Sequence, residues 1–76
     1  MRVHLGGHLA YYHPDRQHWL EFHLSGLTPL RQAAALIGVP PEEIFLVVIN
    51  DEVIDPDQAM VSDQDTLQLY PPIDGG

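Results

Sequence analysis

Five histidines are the first side chains of this sequence that could do chemistry, and all of them lie within the first 31 residues. The alternation of apolar and polar residues puts His4, His8 and His23 on the outer face of a predicted hairpin. Two imidazoles on neighbouring strands lie close enough to share a metal ion. The strand register decides whether His8 faces His23 or Glu21, and the sequence leaves that register open. We expect scattered surface histidines and predict no metal site.

Two pairs of carboxylates, Asp55 with Asp57 and Asp63 with Asp65, are each separated by a single residue. Calcium sites use such oxygen ligands, but the turn glycine and the closing glutamate of an EF-hand loop are missing at the required spacing. The residues around these acids favour turns. We therefore predict water-facing turn residues and no calcium site.

Catalysis by a side-chain nucleophile is not indicated either. The chain has no cysteine, and Ser25 and Ser62 lie in turn-like sequence with no recognisable activating base. Neither a P-loop nor a GxGxxG motif is present, so nucleotide is not bound by either of these devices. We accordingly predict a chain that is not an enzyme and binds no cofactor of its own.

The last seven residues, YPPIDGG, offer a different reactive group. Pro71 and Pro72 force an extended exit from the preceding strand, because no helix can form there. Gly75 and Gly76 have no side chains, so their backbone and the terminal carboxylate can enter a slot too narrow for a Cβ atom. A chain without a catalytic side chain can use this carboxylate, and Gly76 is our candidate reactive residue.

The charge of the chain is strongly asymmetric. The net charge is −8, and all three arginines lie in the first 31 residues, whereas residues 32–76 contain nine acids and no base. Such a charge argues against nucleic acid and anionic membranes as partners. The acidic C-terminal half favours a basic protein surface instead. Lysine is absent, so the chain cannot be an isopeptide acceptor for its own copies; this excludes ubiquitin-style chains but not a single attachment to another protein.

The compartment is predicted from what the composition lacks. Without cysteine there is no sign of an oxidising compartment. The N-terminal residues MRVHLGGHLAYYH lack a long apolar stretch, and no run approaches the roughly 20 residues that a membrane helix needs. We expect a soluble, cytoplasmic domain.

Alternating apolar residues predict the elements that position these groups. Residues 2–12 alternate, and Gly6-Gly7 among them indicates a bulge or a close backbone approach. Residues 18–24 alternate again after a turn, so the two segments together predict an antiparallel hairpin. Thr28 is the expected N-cap of a helix over residues 29–37, with Gly38 as its C-cap. Three further strands are predicted over 44–50, 53–54 and 66–70, with turn and loop sequence over 55–65.

One helix covers one face of a sheet, so this order of elements predicts a two-layer α+β domain over residues 1–70, of the β-grasp (ubiquitin-like) type. Residues 71–76 form a flexible tail. Because residues 44–49 are apolar on both faces of the strand and one helix covers only one side of the sheet, we expect an exposed apolar outer sheet face that binds a partner. The predicted docking residues are Phe45, Val47, Ile49, Trp19 and Tyr70.

The whole chain resembles the ThiS/MoaD family of ubiquitin-like sulfur carriers. The resemblance rests on the size, the order of elements, the stretch TPLRQAAALIGVPPEEIFLVVINDEVI and the tail. The ending aromatic-Pro-Pro-x-x-Gly-Gly is more similar to the MoaD side, the small subunit of molybdopterin synthase. Two departures from the family's pattern are Asp74, which adds a negative charge beside the glycines, and Asp63-Gln64-Asp65, where Asp-Gly-Asp is common.

This resemblance implies a defined function. An E1-like adenylating enzyme of the MoeB/ThiF type would activate the carboxylate of Gly76 with ATP and magnesium, and a sulfur donor would convert it to a thiocarboxylate. The large synthase subunit of the MoaE type would then hold the pterin that accepts the sulfur. Residues Pro71, Pro72, Ile73, Asp74 and Gly75 would give the terminus access to the enzyme. The alternatives are sulfur transfer to thiazole, tRNA or cysteine synthesis, or a ubiquitin-like protein modifier.

Overall fold

The computed structural model describes residues 1–72, which form seven strands and one α-helix. The elements are, in chain order, β1 (Arg2–Leu5), a 3₁₀ helix (Gly7–Tyr12), β2 (Trp19–Glu21), β3 (Thr28–Pro29), α1 (Leu30–Ile37), a second 3₁₀ helix (Pro41–Glu43), β4 (Leu46–Ile49), β5 (Glu52–Ile54), β6 (Met60–Val61) and β7 (Thr66–Tyr70). None of the helices in this part of the chain is long and apolar enough to cross a bilayer.

Five of the strands form one mixed sheet in the order β2-β1-β7-β4-β5. The central strand β7 is parallel to its neighbour β1, and the other neighbouring strands are antiparallel. Strands β3 and β6 form a separate two-stranded sheet beside the helix. The predicted α+β class, with a mixed sheet and one α-helix, is confirmed.

The core lies between one face of the five-stranded sheet and α1. Strand β7 contributes Leu67 and Leu69, both fully buried, as the alternation predicts. The helix contributes the stripe Leu30, Ala33 and Ala34. On β2 and the residues after it, the inward residues Leu20, Phe22 and Leu24 are partly buried against this core. The other buried hydrophobic residues are Met1, Val3, Leu5, Leu9, Ala10, Val39, Ile44, Val47, Ala59 and Val61.

The first strand is shorter than predicted. It ends at Leu5, and Gly7–Tyr12 form a 3₁₀ helix where the alternation indicated more strand. Gly7 has a φ of 51°, a left-handed conformation that interrupts extended backbone. Leu9 is buried as expected, but Tyr11 is 70% exposed, because the 3₁₀ helix does not keep the two-residue period of a strand.

The helix begins one residue later than predicted and without the expected cap. Pro29 occupies the N-cap position, and no side chain caps the helix. Thr28 instead pairs with Val61 in the small sheet, and its hydroxyl donates to the carbonyl of Gly26 at 2.8 Å. The C-terminal prediction is confirmed, since Gly38 has a left-handed φ of 105° and ends the helix.

The acidic turn that precedes β7 is a connecting element. Asp63 accepts hydrogen bonds from the N-terminal ammonium of Met1 at 3.2 Å and from the backbone N–H of Leu24 at 2.9 Å. Asp65 accepts from the backbone of Ser62 and from the side chain of Asn50. The prediction of turn residues holds, and Asp63 is exposed, but the two acids do more than face water. Asp63 joins the turn to Met1 and Leu24, and Asp65 joins it to Asn50.

Candidate functional site

The candidate site is built where the chain leaves the central strand of the sheet. β7 is hydrogen bonded to β1 on one side and to β4 on the other, so its end is held from both directions. The N–H of Gly6 donates to the carbonyl of Leu69, and the N–H of Phe45 donates to the carbonyl of Tyr70, both at 2.8 Å. The direction in which the chain continues after Tyr70 is consequently set by the sheet.

The pair Gly6-Gly7 forms a seat for the start of the tail. A Cβ atom added to Gly6 would lie 2.8 Å from Cε1 of Tyr70 and 3.1 Å from the carbonyl oxygen of Leu69. A Cβ atom at Gly7 would lie 3.0 Å from Cγ of Pro71. The two glycines therefore let the aromatic ring and the first proline pack directly on the backbone.

An apolar groove of about 490 Å³ opens beside this seat. Its lining residues are Gly7, His8, Phe45, Leu46, Tyr70, Pro71 and Pro72. The Phe45 side chain is 66% exposed, and Leu46 is also accessible. A groove of this size with an exposed aromatic side chain can accept an apolar side chain from a partner.

One edge of the groove carries His8 together with Tyr12 and Glu43, two polar groups that the sequence did not suggest. Glu43 accepts a hydrogen bond from the hydroxyl of Tyr12, and its carboxylate lies 3.7 Å from Nε2 of His8, which lines the groove. The hydrogen bond to Glu43, together with some burial, raises the pKa of Tyr12. These groups come from the two 3₁₀ helices, and their proximity depends on tertiary packing that no local motif encodes.

The outer face of the sheet, which points away from α1, carries a continuous row of side chains across all five strands. The strand registers align Val53, Val48, Gln68, His4 and Trp19 in that order. Val53 is 66% exposed and Trp19 is 41% exposed. The row is apolar at both ends and polar in the middle, so the outer face is less uniformly apolar than predicted.

The predicted docking residues divide between the surface and the core. Phe45 and Trp19 are exposed and Tyr70 is half-buried on the surface, whereas Val47 is fully buried. Ile49 is partly buried and packs against the core. Their register partners explain this placement, because Val47 pairs with Leu69 and Ile49 with Leu67, both of which point inward.

Val47 and Ile49 are thus removed from the expected docking surface. The outward positions of β4 are Leu46 and Val48, which pair with Tyr70 and Gln68. An apolar run such as IFLVVIN does not reveal which of its residues face outward, because both faces are apolar. We therefore define the docking surface as Phe45, Leu46, Val48, Trp19 and Tyr70.

The three histidines expected on one face have separate neighbours. The ring of His4 packs 4.7 Å from that of Trp19, His8 lies beside Glu43, and His23 lies 3.4 Å from Asp63. Burial lowers the pKa of His4, and nearby His18 lowers it further. Residues 1–72 contain no group of three or more side chains placed to hold a metal ion.

The arginines occupy distinct settings. Arg31 donates from Nε and Nη2 to Asp57 at 2.8 and 2.6 Å, which neutralises one acid of the C-terminal half. Arg16 lies over the ring of Tyr11. The guanidinium of Arg2 lies 4.4 Å from the centre of the Trp19 ring, on the outer face of the sheet.

Four predicted tail residues, Ile73, Asp74, Gly75 and Gly76, lie outside the described residues. The assignment of Gly76 as the reactive residue and the flexibility of the tail therefore stay predictions. Pro71 and Pro72 are described and line the groove. A scan against protein-family models and a search of curated proteins both return no match for this chain.

Proposed function

We propose that this chain is a sulfur carrier of the β-grasp type, in which the C-terminal carboxylate of Gly76 is adenylated and converted to a thiocarboxylate. The observation that carries the proposal is the tail seat. A chain ending in YPPIDGG leaves from the middle of a rigid sheet, with Tyr70 and Pro71 packed on a pair of glycines. Such a base fixes the point at which the chain leaves the sheet.

The architecture supports this reading. A β-grasp sheet has a hairpin, a helix that crosses the sheet, and a last strand parallel to the first. This chain has an antiparallel pair β1–β2, then α1, and β7 lies parallel to β1 in the centre. The connection from the hairpin through a helix to the other side of the sheet fits this topology.

The proposed chemistry uses the terminal carboxylate as a nucleophile and then as an electrophile. A carboxylate oxygen of Gly76 attacks the α-phosphorus of ATP, and pyrophosphate leaves. Sulfide from a donor attacks the resulting acyl-adenylate at its carbonyl carbon, and AMP leaves with the oxygen. The product is a thiocarboxylate. ATP and magnesium are bound by the adenylating partner, so this chain supplies the reacting group and the surface that delivers it.

The docking surface is proposed to contact two partners in turn: an E1-like adenylating enzyme of the MoeB/ThiF type, and a large synthase subunit of the MoaE type. Phe45, Leu46 and Tyr70 border the groove beside the tail, so a partner that covers them also receives the tail. Since residues 32–76 carry nine acids and no base, the partner surface is expected to be basic. The acceptor in this proposal is the pterin precursor of the molybdenum or tungsten cofactor.

The test is to incubate the protein with an E1-like enzyme, ATP, magnesium and a sulfur source, and to weigh the intact protein. The expected product is heavier by the mass difference between sulfur and oxygen. A variant that lacks Gly76 is the control and should gain no mass, although it should unfold at the same temperature. No mass change with any cognate enzyme would refute the carrier function.

A second measurement separates the proposed pathway from related ones. The large synthase subunit should be captured by the immobilised protein and should convert a pterin precursor when the carrier is thiocarboxylated. Loading without capture by this subunit would move the chain to sulfur transfer for thiazole, tRNA or cysteine synthesis. Attachment of the intact chain to a lysine of another protein would instead identify a modifier.

A further inference from the structure

Strand β2 forms one edge of the five-stranded sheet, and β1 is its only neighbour in the part of the chain that the structure describes. The carbonyl of His18 accepts from Leu5 at 2.7 Å, and the N–H of Phe22 donates to Met1 at 2.9 Å. Because backbone groups alternate direction along a strand, those of Trp19 and Glu21 point away from β1. This edge presents two N–H and two carbonyl groups to an incoming strand.

We propose that the occupant of this edge is the β2 strand of a second copy of the chain, in an antiparallel pair centred on Leu20. A two-fold axis at Leu20 places Trp19 of each copy opposite Glu21 of the other copy. The four outward backbone groups of each strand are then satisfied, and the two sheets become continuous. An open cleft of about 290 Å³, lined by Arg2, Gln17, Trp19, Leu20 and Glu21, leaves room for the incoming strand.

The charges on this edge are complementary to themselves. Within one copy, Arg2 is the register partner of Glu21, and its guanidinium lies over the ring of Trp19. The two-fold arrangement brings Glu21 of one copy next to Trp19 of the second copy. Because the guanidinium of Arg2 lies over the Trp19 ring, Glu21 is then also next to Arg2 of the second copy. Each carboxylate gains a second cation, and the same contact occurs twice, as in other isologous interfaces.

The other end of the sheet lacks this complementarity. Strand β5 carries Glu52 and is flanked by Asp51 and Asp55, so two β5 edges would repel each other. At the β2 end the surrounding sequence is nearly neutral, because the first 31 residues contain three arginines and two acids. Two copies of net charge −8 therefore repel each other least when they meet through β2.

The proposed pairing places Trp19, one residue of the docking surface, at the paired edge, but it leaves the groove beside Tyr70 and Pro71 open. β1 separates β2 from β7, and the groove residues Phe45, Leu46 and Tyr70 lie on the β7 and β4 side of the sheet. A dimer would therefore keep both grooves accessible to a partner. This inference is independent of the sulfur-carrier function, because it uses neither the tail nor the groove.

The experiment measures the association of the full chain by sedimentation over a wide range of concentration. Glu21→Arg and Arg2→Glu should each weaken association by about 10-fold or more, because two attractive pairs become repulsive. The double variant R2E/E21R, which exchanges the charges, should restore it. The control is Glu52→Arg, which changes the net charge by the same amount as E21R but lies on the other edge.

The outcomes are distinguishable. E52R lowers the net repulsion between copies, so it should leave association unchanged or strengthen it slightly, in contrast to E21R. Circular dichroism and the unfolding temperature show that each variant is folded. A wild-type protein that stays monomeric at millimolar concentration would overturn the proposal, and Glu21 would then serve only to protect the edge. Equal effects of E21R and E52R would overturn it as well.

Discussion

Gly6 lies directly under the aromatic ring of Tyr70, although most of the chain separates the two residues. A Cβ atom at Gly6 would be 2.8 Å from Cε1 of that ring, and the N–H of Gly6 also donates to the carbonyl of Leu69. This contact joins the end of β1 to the end of β7, and it is the point from which the tail departs.

Replacing Gly6 with alanine should therefore displace the Tyr70 ring and destabilise the fold. We expect the free energy of unfolding to fall by about 1–3 kcal/mol, as for other overpacked sites. Urea denaturation measures this change. Gly26→Ala is the matched control, because a Cβ atom there would meet no atom within 4 Å. If the Gly6→Ala protein were as stable as the Gly26→Ala protein, the close packing of Tyr70 on Gly6 would be contradicted.

The inward direction of Val47 makes a second prediction. Val47 is fully buried and pairs with Leu69, whereas Val53 is 66% exposed on the neighbouring strand. Val47→Ala should lower the free energy of unfolding by roughly 1–3 kcal/mol, because it removes buried methyl groups and leaves a cavity. Val53→Ala should change it little. Similar losses for both variants would mean that the register of β4 is wrong.

Particular residues show which features of the fold can be predicted from the sequence alone. The alternation of Leu67 and Leu69 predicts β7 and its inward face correctly, because a single strand period is enough. In the run IFLVVIN both faces are apolar, so only pairing with β7 identifies Val47 as a core residue. Threonine favours N-cap positions, but Thr28 instead pairs with Val61 of the strand Met60–Val61, which is distant in sequence.

The candidate site, like the fold, can be predicted from the sequence only in part. The composition of the tail draws attention to Tyr70 and the residues after it. Gly6-Gly7 indicates a bulge or a close backbone approach, and the structure shows the close approach, but that Tyr70 is the group that approaches follows only once β1 and β7 are known to be parallel neighbours. The contact between Tyr12 and Glu43 likewise depends on how the two 3₁₀ helices pack.

The acidic turn before β7 should make stability depend on pH. Hydrogen bonds from the Leu24 backbone and the N-terminal ammonium lower the pKa of Asp63 below its ordinary value of 3.8. Burial tends to raise the pKa of Asp65, but hydrogen bonds from Ser62 and Asn50 outweigh it, and the pKa of Asp65 is also lowered. Each carboxylate thus stabilises the fold above pH 3.8, and this contribution disappears as the pH falls through its lower, folded-state pKa.

The measurement is the urea midpoint from about pH 6 to about pH 2 for the wild type and for Asp65→Asn. The variant should be less stable near neutral pH, and the two curves should converge in acid. Asp15→Asn, at an exposed carboxylate outside the turn, should follow the wild type throughout. A constant gap between wild type and Asp65→Asn across this range would exclude the charge-dependent role.

Association with the adenylating partner should slow as salt is added. The nine acids of residues 32–76 attract a basic surface over long range, and this attraction is screened at high ionic strength. We expect the association rate to fall about 10-fold between roughly 0.05 M and 0.5 M salt, measured by stopped-flow fluorescence of Trp19. Glu52→Gln should make the dependence shallower. An association rate that does not change with salt concentration would contradict the electrostatic part of the docking proposal.

Loss of Phe45 should impair sulfur loading without harming the fold. Phe45 is 66% exposed at the groove beside the tail, so Phe45→Ser removes apolar contact area from the docking surface but little from the core. A contact residue of this kind typically contributes about 1–2 kcal/mol, which corresponds to a 5- to 30-fold lower kcat/KM of the adenylating enzyme for this chain.

Leu27→Ser is the matched control, since Leu27 is 68% exposed and lies outside the groove. Both variants should unfold at nearly the same temperature as the wild type. Equal loading of the two variants would exclude the groove from the docking surface, whereas loss of loading in Phe45→Ser alone would support it.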